Sequence, residues 1–381
     1  MTGSSPPGPG DRVGRFLDLT QPGTGARPRA FRLAGILTIL AWFPLFGLAV
    51  AEGVAWGGAV QVPFVRDFLP YGQLLVAIPA LVLGEIAARR RLGLAMTELR
   101  RSGIVAPDDR KLLEAVLECA TRLGGGGIVN AAVLVVALSA TVLSLVEART
   151  WLTGGWQVTE NGLTLPGWWY LFVSLPVMRF LALRWLWRGL VWAWVLWRVA
   201  HLRLIPRPMH PDRSGGLAFL GETQVAFSVL VFVFGIQLSC LAADAVVFRG
   251  ADLMAYRGHF VAFLLTSVAI LLLPLLTFAP KLVRAREEQL VILSGHGNRG
   301  AEHLGDRLAS GGWGSAAAEN EISGLADFGA LYENARLMRP LPMDMRDVTM
   351  LVVAAGVPFV PLVFLVMPAG EVLRTLARLL V

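Results

Sequence analysis

Charge is what this 381-residue chain has least of. Asp, Glu, Lys and Arg make up 16% of it, against a hydrophobic share of 55%. An ordinary soluble globular protein is excluded, because about a quarter of its residues would be charged. Lysine is nearly missing: Lys111 and Lys281 are the only two among 34 basic residues. A GC-rich genome's codons produce that bias without any chemistry, so arginine standing in for lysine carries no argument by itself. Two cysteines cannot build a disulfide framework, and Cys119 and Cys240 fall in stretches of different character. No nucleophile elbow, Walker loop, zincin helix or dinucleotide fingerprint occurs, so the common hydrolase, nucleotide and dehydrogenase chemistries have no carrier here. His259, His296 and His303 have no companions that would make a site. Neither a metal nor a cofactor is expected.

What the chain has is long apolar sequence, with a mean hydropathy of +0.61. Seven runs stand out, near residues 33–52, 68–88, 128–147, 168–197, 217–247, 259–280 and 348–368. A helix crosses the roughly 30 Å hydrocarbon core with about 20 residues, at about 1.5 Å of rise each. Lipid offers a backbone no partners, so such runs are helical. The expected fold class is therefore all-α: a polytopic membrane helix bundle of about seven transmembrane helices.

The formal net charge of +7 would ordinarily raise nucleic acid as a partner. Its distribution says otherwise. With seven spans alternating from a cytoplasmic N-terminus, Lys and Arg number five in 1–32, eight in 89–126, four in 198–216 and eight in 281–346. The opposite side holds six, and three lie inside the fourth span. That asymmetry is what the positive-inside rule expects of a chain whose N-terminus lies inside. The basic balance reports topology and attraction to anionic lipid, with no nucleic acid implied.

Four regions follow. Residues 1–32, rich in Pro, Gly and Arg, read as a disordered cytoplasmic tail, with an uncleaved anchor starting near Leu33. Residues 33–293 form a six-helix membrane region that includes a cytoplasmic helix at 107–123. In that helix Leu112, Leu113, Val116, Leu117 and Ala120 make an apolar stripe, opposed by charges, and Gly124–Gly127 stops it. Residues 294–346 read as a Gly-rich cytoplasmic loop, about 294–314, followed by a second amphipathic helix near 318–338. That second helix carries Ile322, Leu325, Phe328, Leu331 and Tyr332 on one side. Residues 347–381 hold the seventh run, with Pro358, Pro361 and Pro368, and a C-terminal helix at 371–380. The prolines allow a kinked span or a re-entrant hairpin, and spanning is the preferred reading. No internal repeat of the kind common in secondary transporters is present.

The fourth run carries the charge that needs explaining. Arg179 lies roughly 16 Å in from Trp168, near mid-membrane, with Arg184 and Arg188 further toward the cytoplasm. An arginine at that depth costs at least about 2.5 kcal/mol and faces the bundle, a partner or water. The available acids are Glu85, Glu147 and Asp244. The expected pairings are Arg188 with Glu85, and Arg179 with Asp244 or Glu147. Structural ion pairs or snorkelling arginines are one reading; a polar path or headgroup site for anions is the other. Spacings of five and four exclude a voltage sensor's every-third-residue pattern. Trp185, Trp187, Trp192, Trp194 and Trp197 surround the same helix as packing or lipid-facing residues.

Beyond it, Pro206, Pro208 and Pro211 force an extended path, and Gly215-Gly216 open the fifth helix. His210, Asp212, Arg213, Gly215 and Gly216 form a second candidate, a cytoplasmic anion site made by free amides at a helix start. A tight turn with close helix packing accounts for the same glycines. His201, His210 and Asp212 do not match a metal-ligand spacing.

The fourth-run string from Trp168, the HPDRSGGL loop and the PLPMD segment before the last run together resemble a family of bacterial multi-pass integral membrane proteins with no assigned activity. The resemblance covers about 166–221 and 340–381 and implies the membrane class alone; it transfers no site residues. The function expected is a channel or transporter for a small, anionic solute or a lipid headgroup. The alternative is a membrane scaffold or sensor that recruits a soluble partner through its cytoplasmic helices. An enzyme ranks third, with no catalytic residues to name. Seven helices suffice to enclose a site, and a homo-oligomer is the other arrangement the sequence allows.

Overall fold

The computed structural model describes residues 26–57, 60–151, 155–159, 162–309 and 316–366. Their architecture is all-α, with one two-residue hairpin, Val158–Thr159 against Gly162–Leu163. The tail reading for 1–25 and the C-terminal helix 371–380 lie outside the described residues. Residues 26–32 already belong to the first helix, α1, Ala26–Ala51.

Six helices are long and apolar enough to cross a membrane, or seven if one bent pair counts as a single span. Besides α1 they are α2 (Phe68–Arg101), α5 (Leu165–Ala200), α6 (Phe219–Arg249), α7 (Leu253–Leu276) and α10 (Met345–Leu365). The bent pair is α3 (Arg110–Gly125) and α4 (Gly127–Trp151), which meet at 47° across Gly126. These apolar helices suggest a membrane location. The last of them runs through Val357–Phe359 as a single 3₁₀ turn at Pro358 and does not double back before Leu365. Within 345–365 the proline tightens one turn and the helix resumes; residues 367–381, on which the choice between a span and a re-entrant hairpin also depends, lie outside the described residues.

α2 and α5 form the centre. Trp185 and Trp192 of α5 are nearly fully buried, and Trp185 Nε1 donates to the Leu81 carbonyl of α2 at 2.9 Å. Trp187 Nε1 donates to the Leu123 carbonyl at the end of α3, also at 2.9 Å. Four of the five stripe residues of α3 are buried, with Leu112 the exception at 54% exposure. This helix therefore packs its apolar face on α5, and that face is already covered. α1 and α4 flank the centre on one side, and α6, α7 and α10 on the other.

One expectation fails clearly. The glycine-rich stretch 294–309 is not a loop; it is the second half of a 31-residue helix, α8, Ala279–Ala309. Two of its four glycines, Gly297 and Gly300, face a neighbouring helix. A side chain at Gly297 would press on Phe328, and one at Gly300 would touch Leu325, both on α9 (Ala316–Arg336). Small residues at i and i+3 let two helices approach closely, and the tertiary partner offsets the roughly 1 kcal/mol each glycine costs a helix.

The two ends of the bundle differ. At the basic end, residues 201–218 are held by three separate segments. Ile205 N donates to the Ile104 carbonyl at 2.6 Å, Lys281 Nζ to the Leu202 carbonyl at 2.5 Å, and Arg339 N to the Arg213 carbonyl at 2.7 Å. At the far end, residues 60–67 and 155–159 meet around buried Phe64 and Trp156, whose rings meet edge-on at 5.0 Å.

Candidate functional site

Glu85, on α2, is the acid around which the arginines of α5 gather. Arg188 Nη2 donates to Glu85 Oε1 at 2.6 Å, and Arg188 Nη1 to Glu85 Oε2, a two-pronged pair between two buried residues. Arg89 Nε, one helical turn along α2, donates to Glu85 Oε1 at 2.6 Å, and Arg184 Nη2 stands 3.8 Å from that oxygen. Arg188 also lies over the Trp185 ring, 5.8 Å from its centroid. The pairing of Arg188 with Glu85 read from sequence is thus present. Its reach extends to two arginines, Arg184 and Arg89, that sequence reasoning did not attach to this carboxylate.

Arg179 behaves differently. Its Nη1 donates to Thr141 Oγ1 on α4 at 3.3 Å, while Asp244 accepts from Phe68 N at 3.1 Å and lies against Asp67. The expected Arg179–Asp244 pair is therefore not formed. Asp244 sits at the far end of α6, where the first amides of α2 supply the positive partner. Arg179 faces α4 instead. The side chain of Glu147, the other suggested partner, lies outside the described residues.

Beside the arginine cluster is a cavity of about 350 Å³. Leu33 and Leu37 of α1 form one wall and Leu134 and Leu138 of α4 the other. Its floor is α5 from Phe172 to Trp185, with Leu81 and Val82 of α2 closing it. Glu85, Arg89 and Arg184 stand at one end. The floor from Phe172 to Arg184 spans about 18 Å of helix, somewhat more than the roughly 15 Å of one leaflet's hydrocarbon.

The second expected site is filled from within. Asp212 Oδ1 accepts from the amides of Ser214 at 2.9 Å and Gly216 at 3.0 Å, and Oδ2 from Ala218 at 3.1 Å. His210 Nδ1 lies 2.9 Å from the same carboxylate. Burial pushes the Asp212 carboxyl up, but these backbone donors and His210 outweigh it and hold it below the ordinary value. The helix-start amides read as receiving an outside anion are thus taken by the chain's own carboxylate. Gly215 (φ +67°), Gly216 (φ +86°) and, unusually for a side-chain-bearing residue, Arg213 (φ +53°) fold the loop back to make this possible. A Cβ at Gly215 would stand 3.1 Å from Pro206 and crowd the ends of Met338 and Leu282, on a backbone conformation that side-chain-bearing residues rarely adopt. His210, Asp212 and Gly216 do border a cleft of about 730 Å³, together with Arg91, Arg101 and Arg207.

A third cluster went unread. At the far end, Asp67 Oδ2 accepts from Trp156 Nε1 at 2.8 Å and Gln157 Nε2 at 3.1 Å. Deeper in, Tyr170 donates to Gln73 Oε1 at 2.6 Å, and Gln73 Nε2 to Gln237 Oε1 at 3.3 Å. Gln73 and Tyr170 each sit in a π-helical turn, Tyr71–Ala77 and Tyr170–Ser174, a local widening frequent at functional positions. An Asp directly before a helix start was the available signal for Asp67. Among the described residues no group of three or more His, Cys, Asp or Glu is placed to hold a metal.

Comparison with protein-family models, with curated proteins and with solved structures finds no match to this chain.

Proposed function

We propose that this is a seven-span protein of a bacterial inner membrane, with its basic end and N-terminus in the cytoplasm, that binds an anionic amphiphile. Of the two anionic ligands anticipated, a free solute and a lipid headgroup, the geometry favours the headgroup. The observation that carries this reading is the 350 Å³ groove, apolar along its length and ending at Glu85, Arg89 and Arg184. Such a shape suits an acyl chain with an anionic group at its cytoplasmic end. An open anion pore has less support: Arg188 is engaged on both prongs by Glu85, and Arg179 borders neither cavity.

The test is native mass spectrometry of the protein released from nanodiscs that mix an anionic and a zwitterionic phospholipid. Wild type should retain the anionic lipid preferentially. Leu138→Trp, which fills the groove, should abolish retention, and Arg184→Gln should abolish the preference while retention persists. Unchanged retention in folded Leu138→Trp would refute the groove, and an unchanged preference in Arg184→Gln would refute the headgroup assignment.

The scaffold reading draws on α8, where Val291 is 75% and Ile292 53% exposed. It no longer draws on α3, whose stripe is occupied by α5.

A further inference from the structure

Asp67 and Asp244 come from different helices and meet at one place, the start of α2. Each carboxylate takes one of that helix's first amides: Asp67 Oδ1 accepts from Leu69 N at 3.0 Å, and Asp244 Oδ1 from Phe68 N at 3.1 Å. The two carboxylates therefore stand side by side on adjacent amides of one helix start. A carboxylate only accepts, so a hydrogen bond between the two forms only when one of them is protonated. Asp67 is 7% exposed, and like charges so close in a poorly solvated place cannot both ionise.

We propose that Asp67 and Asp244 hold a single proton between them, and that this proton fastens the far ends of α2 and α6, which part when the proton leaves. Asp67 is itself held by the Trp156 loop, through Trp156 Nε1 and Gln157 Nε2. Loss of the proton to water leaves two carboxylates facing each other, and the O–H···O link becomes a repulsion. Burial pushes the Asp67 carboxyl above its ordinary value, with the Trp156, Leu69 and Gln157 hydrogen bonds opposing. Among the described residues the other titratable or charged groups acting on the pair are few. Tyr71 belongs to α2, Cys240 and Arg249 to α6, and Tyr170 to α5, with Arg179 acting on Tyr170. Phe260 and Phe359, from α7 and α10, pack near Phe68 and bring no charge.

The fastened form binds one proton more than the parted form. Raising pH above the ordinary carboxylate range therefore favours parting, by up to about tenfold per pH unit, until the pair's own value is passed. This device is independent of the groove: it lies at the other end of the bundle and involves no lipid.

Hydrogen exchange of the full chain in nanodiscs, read across pH and corrected for chemical exchange, tests it. Reporter amides are Phe68, bonded to Asp244 Oδ1, and Leu69, bonded to Asp67 Oδ1. In wild type their protection should fall by up to tenfold per pH unit. In Asp244→Asn it should be high and flat, because the carboxamide donates to Asp67 without titrating and still accepts from Phe68. Should that variant not fold, Asp244→Ala removes the second carboxylate, and Leu69 protection should then stay flat above the ordinary carboxylate range. Wild-type protection that ignores pH, or a variant that follows the wild-type slope, overturns the proposal.

Discussion

Replacing Glu85 by Gln isolates the one interaction on which the arginine cluster is built. The variant keeps the shape and removes the charge, leaving Arg188 at 8% exposure with no carboxylate beside it among the described residues. Two hydrogen bonds from Arg188 and one from Arg89 lose their ionic acceptor. Each charge-assisted bond is worth about 1.5–3 kcal/mol, but their desolvation is shared and they do not add. The better guide is the cost of breaking a buried pair by removing one partner, about 3–5 kcal/mol, and that is the expected loss. Arg188→Met alone should cost a similar amount. The double variant should cost less than the two together, with a coupling of about 2–3 kcal/mol, since neither charge is then stranded. Equilibrium unfolding in mixed micelles measures all three. A Glu85→Gln protein within about 1 kcal/mol of wild type, or strict additivity in the double variant, would refute the claim that Glu85 and Arg188 are buried as a mutually compensating pair.

Two further expectations concern the basic end. The folded-state pKa of Asp212 lies below its ordinary value, so its stabilisation is full above the ordinary carboxylate range and disappears as pH falls through the folded value. Asp212→Asn should remove that acid-side slope and lower stability at neutral pH by about 1–3 kcal/mol, seen in denaturation at pH 3 against pH 7. Gly297→Leu should drive α8 from α9, because the added side chain meets Phe328. Hydrogen exchange of the α9 amides should then quicken at least tenfold, and an unchanged exchange rate would contradict the packing.

The long apolar helices were legible because hydrocarbon makes one simple demand, an unbroken apolar run, and such a run shows in the order of residues. The Glu85–Arg188 pair was legible for a related reason: so few acids lie near the depth of an intramembrane arginine that matching depths nearly selects the partner. Asp244 shows where that reasoning stops. Depth alone could not reveal that α2 begins beside it and that free amides, with a second aspartate, would take it. The same blindness explains the 212–218 loop. A donor-rich turn was visible, but the carboxylate that fills it lies inside the turn, brought round by Arg213 and two glycines in left-handed conformations. Residues 294–309 were misread because glycine as a breaker and glycine as a contact surface are identical until Phe328 and Leu325 arrive.

The widened turn at Tyr170–Ser174 also sets an angle. A π-helical turn accommodates one residue more than an α-helical turn, and one residue is about 100° of rotation. Everything on α5 beyond Ser174 is therefore swung by that amount relative to Trp168 and Trp169. Tyr170 addresses Gln73 from one azimuth, and Arg184 and Arg188 address Glu85 from another. A chain shorter by one residue in that turn would keep its hydropathy and its span, yet aim both guanidinium groups away from their acid. The alignment between the two ends of this helix is thus stored in a single surplus residue.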